Sequence, residues 1–214
     1  MIFVGGDLSG PTNYRETALA WFEKRGGTVH YLNSMVGADD RAIFELVSEI
    51  SRTQETVIGL DAPLSYNIGG GDRDRDAQLR RLIIDAGLSP GSVMAPTMTR
   101  MAYLTLRGIS VARSLENIKP RIPRIVEVHP GASLALRGAS AKDIRRLRGD
   151  GLARLNILRF LQDQGLDGVG DVGITSPHLI SACAAALSAW AWVSDKSVWI
   201  AKADLPYHPY DFAC

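Results

Sequence analysis

Three acidic side chains lie in or directly after apolar segments that have the composition of β-strands. Asp7 follows the run "FVGG", Asp61 ends "VIGLD", and Glu127 lies inside the β-branched run "RIVEV". Carboxylates that gather in one place raise one another's pKa, and a bound cation relieves their repulsion. Oxygen donors without thiolates favour Mg²⁺ or Mn²⁺, and two such ions about 4 Å apart can promote phosphodiester hydrolysis. We therefore predict that Asp7, Asp61 and Glu127 are catalytic metal ligands.

Each carboxylate also has a structural explanation that the sequence leaves open. An aspartate at the end of a strand commonly stabilises a turn, and Asp61 directly precedes Ala-Pro. In a strand, Glu127 would share a face with Ile125 and His129, and an arginine from the basic helices could neutralise it there instead of a metal ion. His129 is a second candidate ligand or general base, because a neutral imidazole can fill either role. Its alternative role is a hydrogen bond to a loop carbonyl.

The segments that must position these residues alternate between strand-like and helical patterns. Three strand-like runs are followed by a helix, a fourth strand, a mixed stretch, a fifth strand and further helices, an order typical of the mixed α/β class. Open α/β sheets bind ligands beyond the carboxyl ends of their strands, so the acids converge if strands one, four and five are neighbours. The predicted strands cover residues 2–4, 17–22, 28–32, 56–60 and 124–130.

The remaining segments predict one domain over residues 1–214, with an insertion or cap over about 66–123. Aspartates 39 and 40 are suited to cap the first helix, and "DRDAQLRRLIIDAG" indicates a helix that stops at Gly87. Further helices are predicted near 140–148, 150–164 and 177–193, followed by a tail with one more strand. The most apolar stretch, residues 179–193, is shorter than the roughly 20 residues of a membrane span and indicates a core helix.

Composition and charge narrow the classes of protein further. The chain has 214 residues, two cysteines and a net charge of +1, and it begins without the pattern of a secretory signal. We expect a cytoplasmic protein without a disulfide framework. Residues 1–65 carry a net charge of −4, whereas residues 100–159 carry +9. This basic segment indicates contact with nucleic acid phosphates, although solvated helix surfaces would also produce it.

Several short motifs, taken in order, resemble the domain-of-unknown-function 429 family. They are "GGDLSG", "GLDAPL", "DRDAQLRR", "MAPTMTRMAYLTLRGI", "EVHPGAS" and the final alanine-rich helix. The resemblance covers most of the chain and implies a predicted nuclease of the RNase H-like fold. Such a fold has three antiparallel strands followed by parallel strands, with flanking helices. The family's acidic positions then correspond to Asp7, Asp61 and Glu127, and the implied partners are Mg²⁺ or Mn²⁺ and DNA or RNA.

The last helix departs from the related RuvC-type resolvases, which carry an Asp-x-x-Asp or His-x-x-Asp motif there. In "PHLISACAAAL", His178 matches the first position of that motif, but Ser181 stands in place of the final aspartate. His178 is therefore a candidate catalytic residue, as a ligand or general base. Asp167 and Asp171, on the preceding loop, are candidates to replace the missing carboxylate. RuvC-type enzymes also suggest a homodimer.

Three functions remain open from the sequence. The first is a metal-dependent nuclease, in which Ser9 and Thr12, next to Asp7, contact phosphate. The second is an ATP-binding protein, because "GGDLSGPTN" is also similar to the first phosphate loop of the actin and sugar-kinase superfamily. The third is a binding module for nucleic acid or protein that has lost catalysis, which the serine at position 181 favours. Metal-dependent or ATP-dependent thermal stabilisation, or chelator-insensitive binding of nucleic acid, separates them.

Overall fold

The computed structural model of the chain describes the backbone of residues 1–171 and 176–214, and all their side chains except the one at position 171. The described ranges contain eight strands, seven α-helices and three short 3-10 turns. The strands are β1 Ile2–Asp7, β2 Ala18–Arg25, β3 Thr28–Val36, β4 Thr56–Asp61, β5 Arg124–Val128, β6 Leu166–Asp167, β7 Ile200–Ala201 and β8 Phe212–Ala213. The helices are α1 Asp40–Thr53, α2 Asp74–Asp85, α3 Met101–Leu115, α4 Pro130–Leu136, α5 Ala141–Arg146, α6 Gly151–Asp163 and α7 Pro177–Val193.

All strands belong to one mixed sheet, ordered β6-β3-β2-β1-β4-β5-β8-β7. The first three strands form an antiparallel meander, and β4 and β5 then run parallel to β1 on its other side. This arrangement confirms the mixed α/β class and the prediction that strands one, four and five are neighbours. It also places the carboxyl ends of these three strands at one edge of the sheet.

One face of the sheet is covered by α7, which lies closely against the two central strands. A Cβ atom added to Gly5 would come within 1.9 Å of the Ala182 carbonyl oxygen, and one added to Gly59 within 2.6 Å of the Ala185 carbonyl oxygen. These glycines therefore admit the helix backbone itself, a contact that the alanine-rich sequence of α7 also permits. In the described part of the chain, no helix combines the length and apolar character needed to cross a membrane.

The opposite face is covered by α1 and α3, which pack on each other and bury a second apolar cluster. The N-terminus of α1 is capped as predicted, because the Asp39 carboxylate accepts a hydrogen bond from the Ala42 N–H at 2.8 Å. Gly87 ends α2 with a positive φ of 84°, which also agrees with the sequence. Within segment 66–123, α2 contacts α4 and α3 contacts α1.

Several elements differ from the sequence-based prediction. β3 extends four residues further than the predicted 28–32, to Val36. Helix α4 and strand β6 were not predicted, and the tail contributes two strands, β7 and β8, instead of one. Strands of two residues are too short to carry a period-2 pattern, and they are defined only by their pairing with a neighbouring strand. Helix α4 begins at Pro130, the residue that was interpreted only as a strand stop.

Candidate functional site

The carboxyl ends of β1 and β4 bring two aspartates side by side. Asp7 and Asp61 are paired in the parallel register of these strands, so they lie on the same face of the sheet. Both line a cavity of about 400 Å³ that opens at this edge of the sheet. We call it the carboxylate cavity. Its wall also includes Ser9, Arg148 and His178.

Asp7 is buried and Asp61 is partly buried, and neither has a full set of hydrogen-bond partners in the described part of the chain. Burial raises the pKa of Asp7, although the hydrogen bond from His178 acts in the opposite direction. Burial raises the pKa of Asp61 well above its ordinary value, and the charges of Asp7 and Glu127 add to this shift. Within the described residues, the Asp61 side chain receives no hydrogen bond and forms no ion pair, and the causes that act on its pKa all raise it.

His178 reaches Asp7 because α7 begins directly above β1. The close contact of this helix with Gly5 fixes its first turn over the end of the strand. Nδ1 of His178 lies 2.8 Å from Oδ2 of Asp7, and the imidazole N–H donates to the carboxylate. This hydrogen bond raises the pKa of His178. The other ring nitrogen, Nε2, lies 3.9 Å from the exposed carboxylate of Glu16.

Glu127 lies on the opposite face of the sheet from the two aspartates. The register pairs it with Leu60, the residue before Asp61, so its side chain points with Leu60 away from α7. It is 2% exposed, and it lines the carboxylate cavity from below. The Oε2 atom accepts a hydrogen bond from the Leu64 N–H at 2.9 Å, which ties the turn after Asp61 to β5.

The charge of Glu127 is neutralised by Arg73, which precedes α2. Two guanidinium nitrogens of Arg73 donate to the two carboxylate oxygens of Glu127, at 2.8 and 2.5 Å. The same guanidinium also donates twice to Asp76, at 2.9 and 2.7 Å, and once to Ser65 at 3.0 Å. Burial alone would lower the pKa of Arg73, but the charge of Glu127 and the contact with Asp76 raise it above its ordinary value.

The alternative in which an arginine neutralises Glu127 is therefore the arrangement that the structure shows. This arginine, however, lies outside the basic segment 100–159. We call Arg73, Asp76 and Glu127 the arginine cluster. Because both oxygens of Glu127 are engaged, this geometry does not favour its predicted role as a metal ligand. Its predicted catalytic role is likewise not apparent in the contacts that the side chain makes.

His129 has both ring nitrogens engaged. Its Nδ1 atom accepts a hydrogen bond from the Ala132 N–H at 3.1 Å and caps α4, while Nε2 donates to the Ser92 carbonyl at 2.7 Å. Burial lowers the pKa of His129, which favours the neutral form of the ring. The alternative interpretation, a hydrogen bond to a loop carbonyl, describes this arrangement. His129 lines the cavity but has no ring nitrogen free for a ligand or base role.

The two residues predicted to contact phosphate, Ser9 and Thr12, both follow β1 but line different cavities. Ser9 lines the carboxylate cavity, and its backbone is fixed by Thr17 and by the buried Arg107. Thr12 lines a neighbouring groove instead. Asp167 lies in β6 at the far edge of the sheet, where its carboxylate is 3.3 Å from His30. The side chain of Asp171 lies outside the described residues.

A comparison with protein families gives one match. The family model described as "Protein of unknown function (DUF429)" matches residues 5–205. The chain belongs to the DUF429 family. This confirms the family indicated by the sequence motifs, and the matched range includes every site residue from Asp7 to His178. No curated protein and no solved structure matches the chain.

One residue of this DUF429 protein was missed as an individual candidate. Arg148, in the turn after α5, is exposed and lines the carboxylate cavity, and its charge also acts on His178. Its charge lowers the pKa of Asp7, against the larger effect of burial. The only sequence signal was its membership of the basic segment 100–159, which contains many arginines. Their pattern does not distinguish the one that faces the carboxylates.

The donor set in the DUF429 cavity is suited to one hard cation. Mg²⁺ commonly binds through one or two carboxylates and completes its coordination with water and substrate phosphate. Asp7 and Asp61 provide two adjacent carboxylates, of which Oδ1 of Asp7 is left free by His178. Across residues 1–170 and 176–214, no group of three or more His, Cys, Asp and Glu side chains is arranged to hold a metal. The residues therefore fit a two-carboxylate site, and Glu127 lies outside it.

Proposed function

We propose that this protein is a metal-dependent hydrolase that cleaves phosphodiester bonds of nucleic acid. The observation that carries the proposal is the pair of Asp7 and Asp61, two adjacent carboxylates with raised pKa values and too few counter-charges. A pair of this kind costs stability, so its presence in an open cavity is best explained by a function that uses it. The strand order β3-β2-β1-β4-β5 supports the RNase H-like fold implied by the family.

Asp7 and Asp61 would hold the divalent cation, Mg²⁺ or Mn²⁺. When bound, this cation would offset their charge and polarise a phosphate oxygen. Arg148, which lines the same cavity, is suited to balance the negative charge of the phosphate. His178 is held by Asp7 through Nδ1, so its Nε2 atom is left to exchange a proton with the reacting oxygens.

The test is a cleavage assay on labelled single-stranded, duplex and branched DNA and RNA, with Mn²⁺, Mg²⁺ or EDTA. We expect metal-dependent cleavage that falls by at least about a hundredfold in Asp7→Asn and in Asp61→Asn. The exposed Asp85 provides a matched control, because Asp85→Asn makes the same chemical change far from the cavity. Cleavage that is equal in all variants would indicate a contaminating nuclease, and a folded but inactive wild type would overturn the proposal.

A binding module without catalysis is the second candidate, and Ser181 favours it. This serine lines a smaller cavity of about 230 Å³ together with Asp7 and Asp61, so the position that carries the final aspartate in RuvC-type resolvases supplies a hydroxyl here. Binding of nucleic acid that persists in EDTA, together with no cleavage of any substrate, would favour this function over hydrolysis.

Location and assembly complete the proposal. Cys183 and Cys214 are both free and buried, a state that suits a reducing cytoplasm. Cell fractionation tests that location. The homodimer suggested by the RuvC-type resemblance is tested by light scattering of the purified protein.

A further inference from the structure

A second, larger cavity continues from the carboxylate cavity along the surface. It has a volume of about 910 Å³ and lies between the loop after β1 and the start of α3. Half of its wall is shared with the carboxylate cavity, so the two form one continuous trough. The shared residues are Gly10, Asn13, Met94, Met101 and Leu104. We call the larger cavity the side groove.

The side groove has an apolar floor and polar edges. Met94, Met101 and Leu104 provide apolar side chains, and Tyr103 adds an aromatic ring that is 63% exposed. Polar side chains at its edges include Thr12, Asn13 and Thr99. Cavities of this size and composition typically bind flat organic groups, which a few polar side chains orient.

One residue at the edge of the side groove, Thr99, has a backbone conformation that is unfavourable for its residue type. Thr99 has a positive φ of 48°, a left-handed conformation that is unfavourable for a β-branched residue. Strained residues of this kind are concentrated at ligand sites, where the surrounding structure enforces them. The next residue, Arg100, lines the same groove and is its one charged side chain among the described residues.

We propose that the side groove binds an unpaired base of a single-stranded nucleic acid whose neighbouring phosphate lies at Asp7 and Asp61. This inference rests on the proposed function and specifies its substrate class. A nucleotide combines a flat aromatic base with an anionic phosphate, and the trough combines an apolar floor with Arg100 and Arg148. Bases stack on aromatic side chains with little dependence on sequence, and arginines hold the backbone between them.

The same geometry disfavours a duplex as the ligand. In a duplex, each base is stacked on its neighbours and paired, so neither face can lie against Tyr103. An unpaired strand exposes these faces and can follow the trough from the side groove to the carboxylate cavity. The groove therefore selects a single strand, or the single-stranded part of a branched substrate.

The test measures binding without cleavage, in EDTA, by fluorescence anisotropy of a short labelled oligothymidylate. An abasic strand of the same length carries the same phosphates without bases. Tyr103→Ala removes the ring from the groove, and Tyr103→Phe restores it. Leu106→Ala is the matched control, because Leu106 lies on the same helix and is also 63% exposed but does not line the groove.

We expect the wild type to bind the oligothymidylate roughly ten- to a hundredfold more tightly than the abasic strand. Tyr103→Ala should remove most of this difference and leave abasic binding unchanged, while Tyr103→Phe and Leu106→Ala should behave as the wild type. Arg100→Gln should weaken binding of both strands equally and reduce its salt dependence.

Equal binding of the two strands by the wild type would overturn the inference, and so would equal losses in Tyr103→Ala and Leu106→Ala. Preference for duplex over single strand would also overturn it. These outcomes are distinct from failure of the proposed function. Base-dependent binding without metal-dependent cleavage would retain the groove and reject the hydrolase, whereas cleavage without base dependence would do the reverse.

Discussion

The two acidic groups at the edge of this sheet differ in how their charge is balanced. In the arginine cluster, Glu127 and Asp76 share a buried guanidinium that donates to both of them. In the carboxylate pair, within the described residues, Asp7 forms a side-chain hydrogen bond only with His178, and Asp61 receives none. The first group carries its own cation, and the second group is left with excess negative charge beside a cavity.

From this difference we infer a structural role for the arginine cluster and assign the proposed function to the carboxylate pair. A buried carboxylate that faces a fixed arginine has its charge and hydrogen bonds balanced. Such a pair contributes to the specificity of the fold and is not by itself a sign of function. A buried pair without a counter-charge lowers stability until something positive binds. The predictions below test this comparison by removing the cation from one group and changing the number of carboxylates in the other.

The largest effect is expected from Arg73→Met. This change leaves Glu127 and Asp76 buried without their cation and should lower the free energy of unfolding by about 3–5 kcal/mol. Urea denaturation at neutral pH measures it. Arg41→Met is the matched control, because the Arg41 pair with Glu45 is exposed, and it should leave the unfolding midpoint in place. Equal effects of the two changes would contradict the assigned role of Arg73.

Glu127→Gln is expected to have an intermediate effect on stability. The amide oxygen can still accept one hydrogen bond, but it loses the charge that faces Arg73, at a cost of about 1–3 kcal/mol. The thermal stabilisation produced by Mn²⁺ should keep its wild-type size, since Glu127 lies outside the two-carboxylate site. If Glu127→Gln abolishes that stabilisation while Asp61→Asn preserves it, the assignment of the two groups is reversed.

Ser181→Asp should make the carboxylate pair more dependent on a cation. The new carboxylate faces the cavity that Asp7 and Asp61 line, so we expect roughly tenfold tighter Mn²⁺ binding, equivalent to about 1.4 kcal/mol. In EDTA the same variant should melt at a lower temperature than the wild type. Ser140→Asp adds the same charge at the exposed cap of α5 and should change neither quantity. Isothermal titration calorimetry and thermal melts measure both.

Asp61→Asn should have the smallest effect and the opposite sign, because it stabilises the metal-free protein. Since the pKa of Asp61 is raised in the folded state, stability falls as pH rises from the unfolded pKa to the folded one and stays reduced above it. At neutral pH in EDTA, the melting temperature should rise by roughly 2–4 °C. The advantage should vanish at pH values below the unfolded pKa of about 3.9. If the variant melts at a lower temperature than the wild type at neutral pH, the inference that excess negative charge destabilises the metal-free protein is wrong.

The sequence was sufficient to predict the strand-end acids and the edge of the sheet where they gather. It also contained the motif order that identified the DUF429 family, which the family match confirms. It could not give the register between β4 and β5, and this register decides that Glu127 lies on the face opposite Asp61. A shift of one residue in pairing reverses the face of a side chain, and no pattern in "RIVEV" fixes that shift.

The contacts of the other site residues were beyond sequence reasoning for a similar reason. Arg73 lies 54 residues from Glu127 in the chain, and nothing local marks it as different from Arg75 or Arg80. The choice between a metal and an arginine for Glu127 depended on this long-range contact. His178, in contrast, was predicted as a site residue from its position on the last helix, and the structure shows that it forms a hydrogen bond with Asp7.

The glycine contacts beneath α7 have a consequence for how the trough can adapt to a ligand. Because Gly5 and Gly59 let the helix backbone rest directly on the strands, the wall that carries His178 has no compressible layer of side chains behind it. We therefore expect this wall to be rigid and to hold Asp7 in place through its hydrogen bond with His178. Any adjustment to ligands of different width must therefore come from the side groove, where Met94 and Arg100 are exposed.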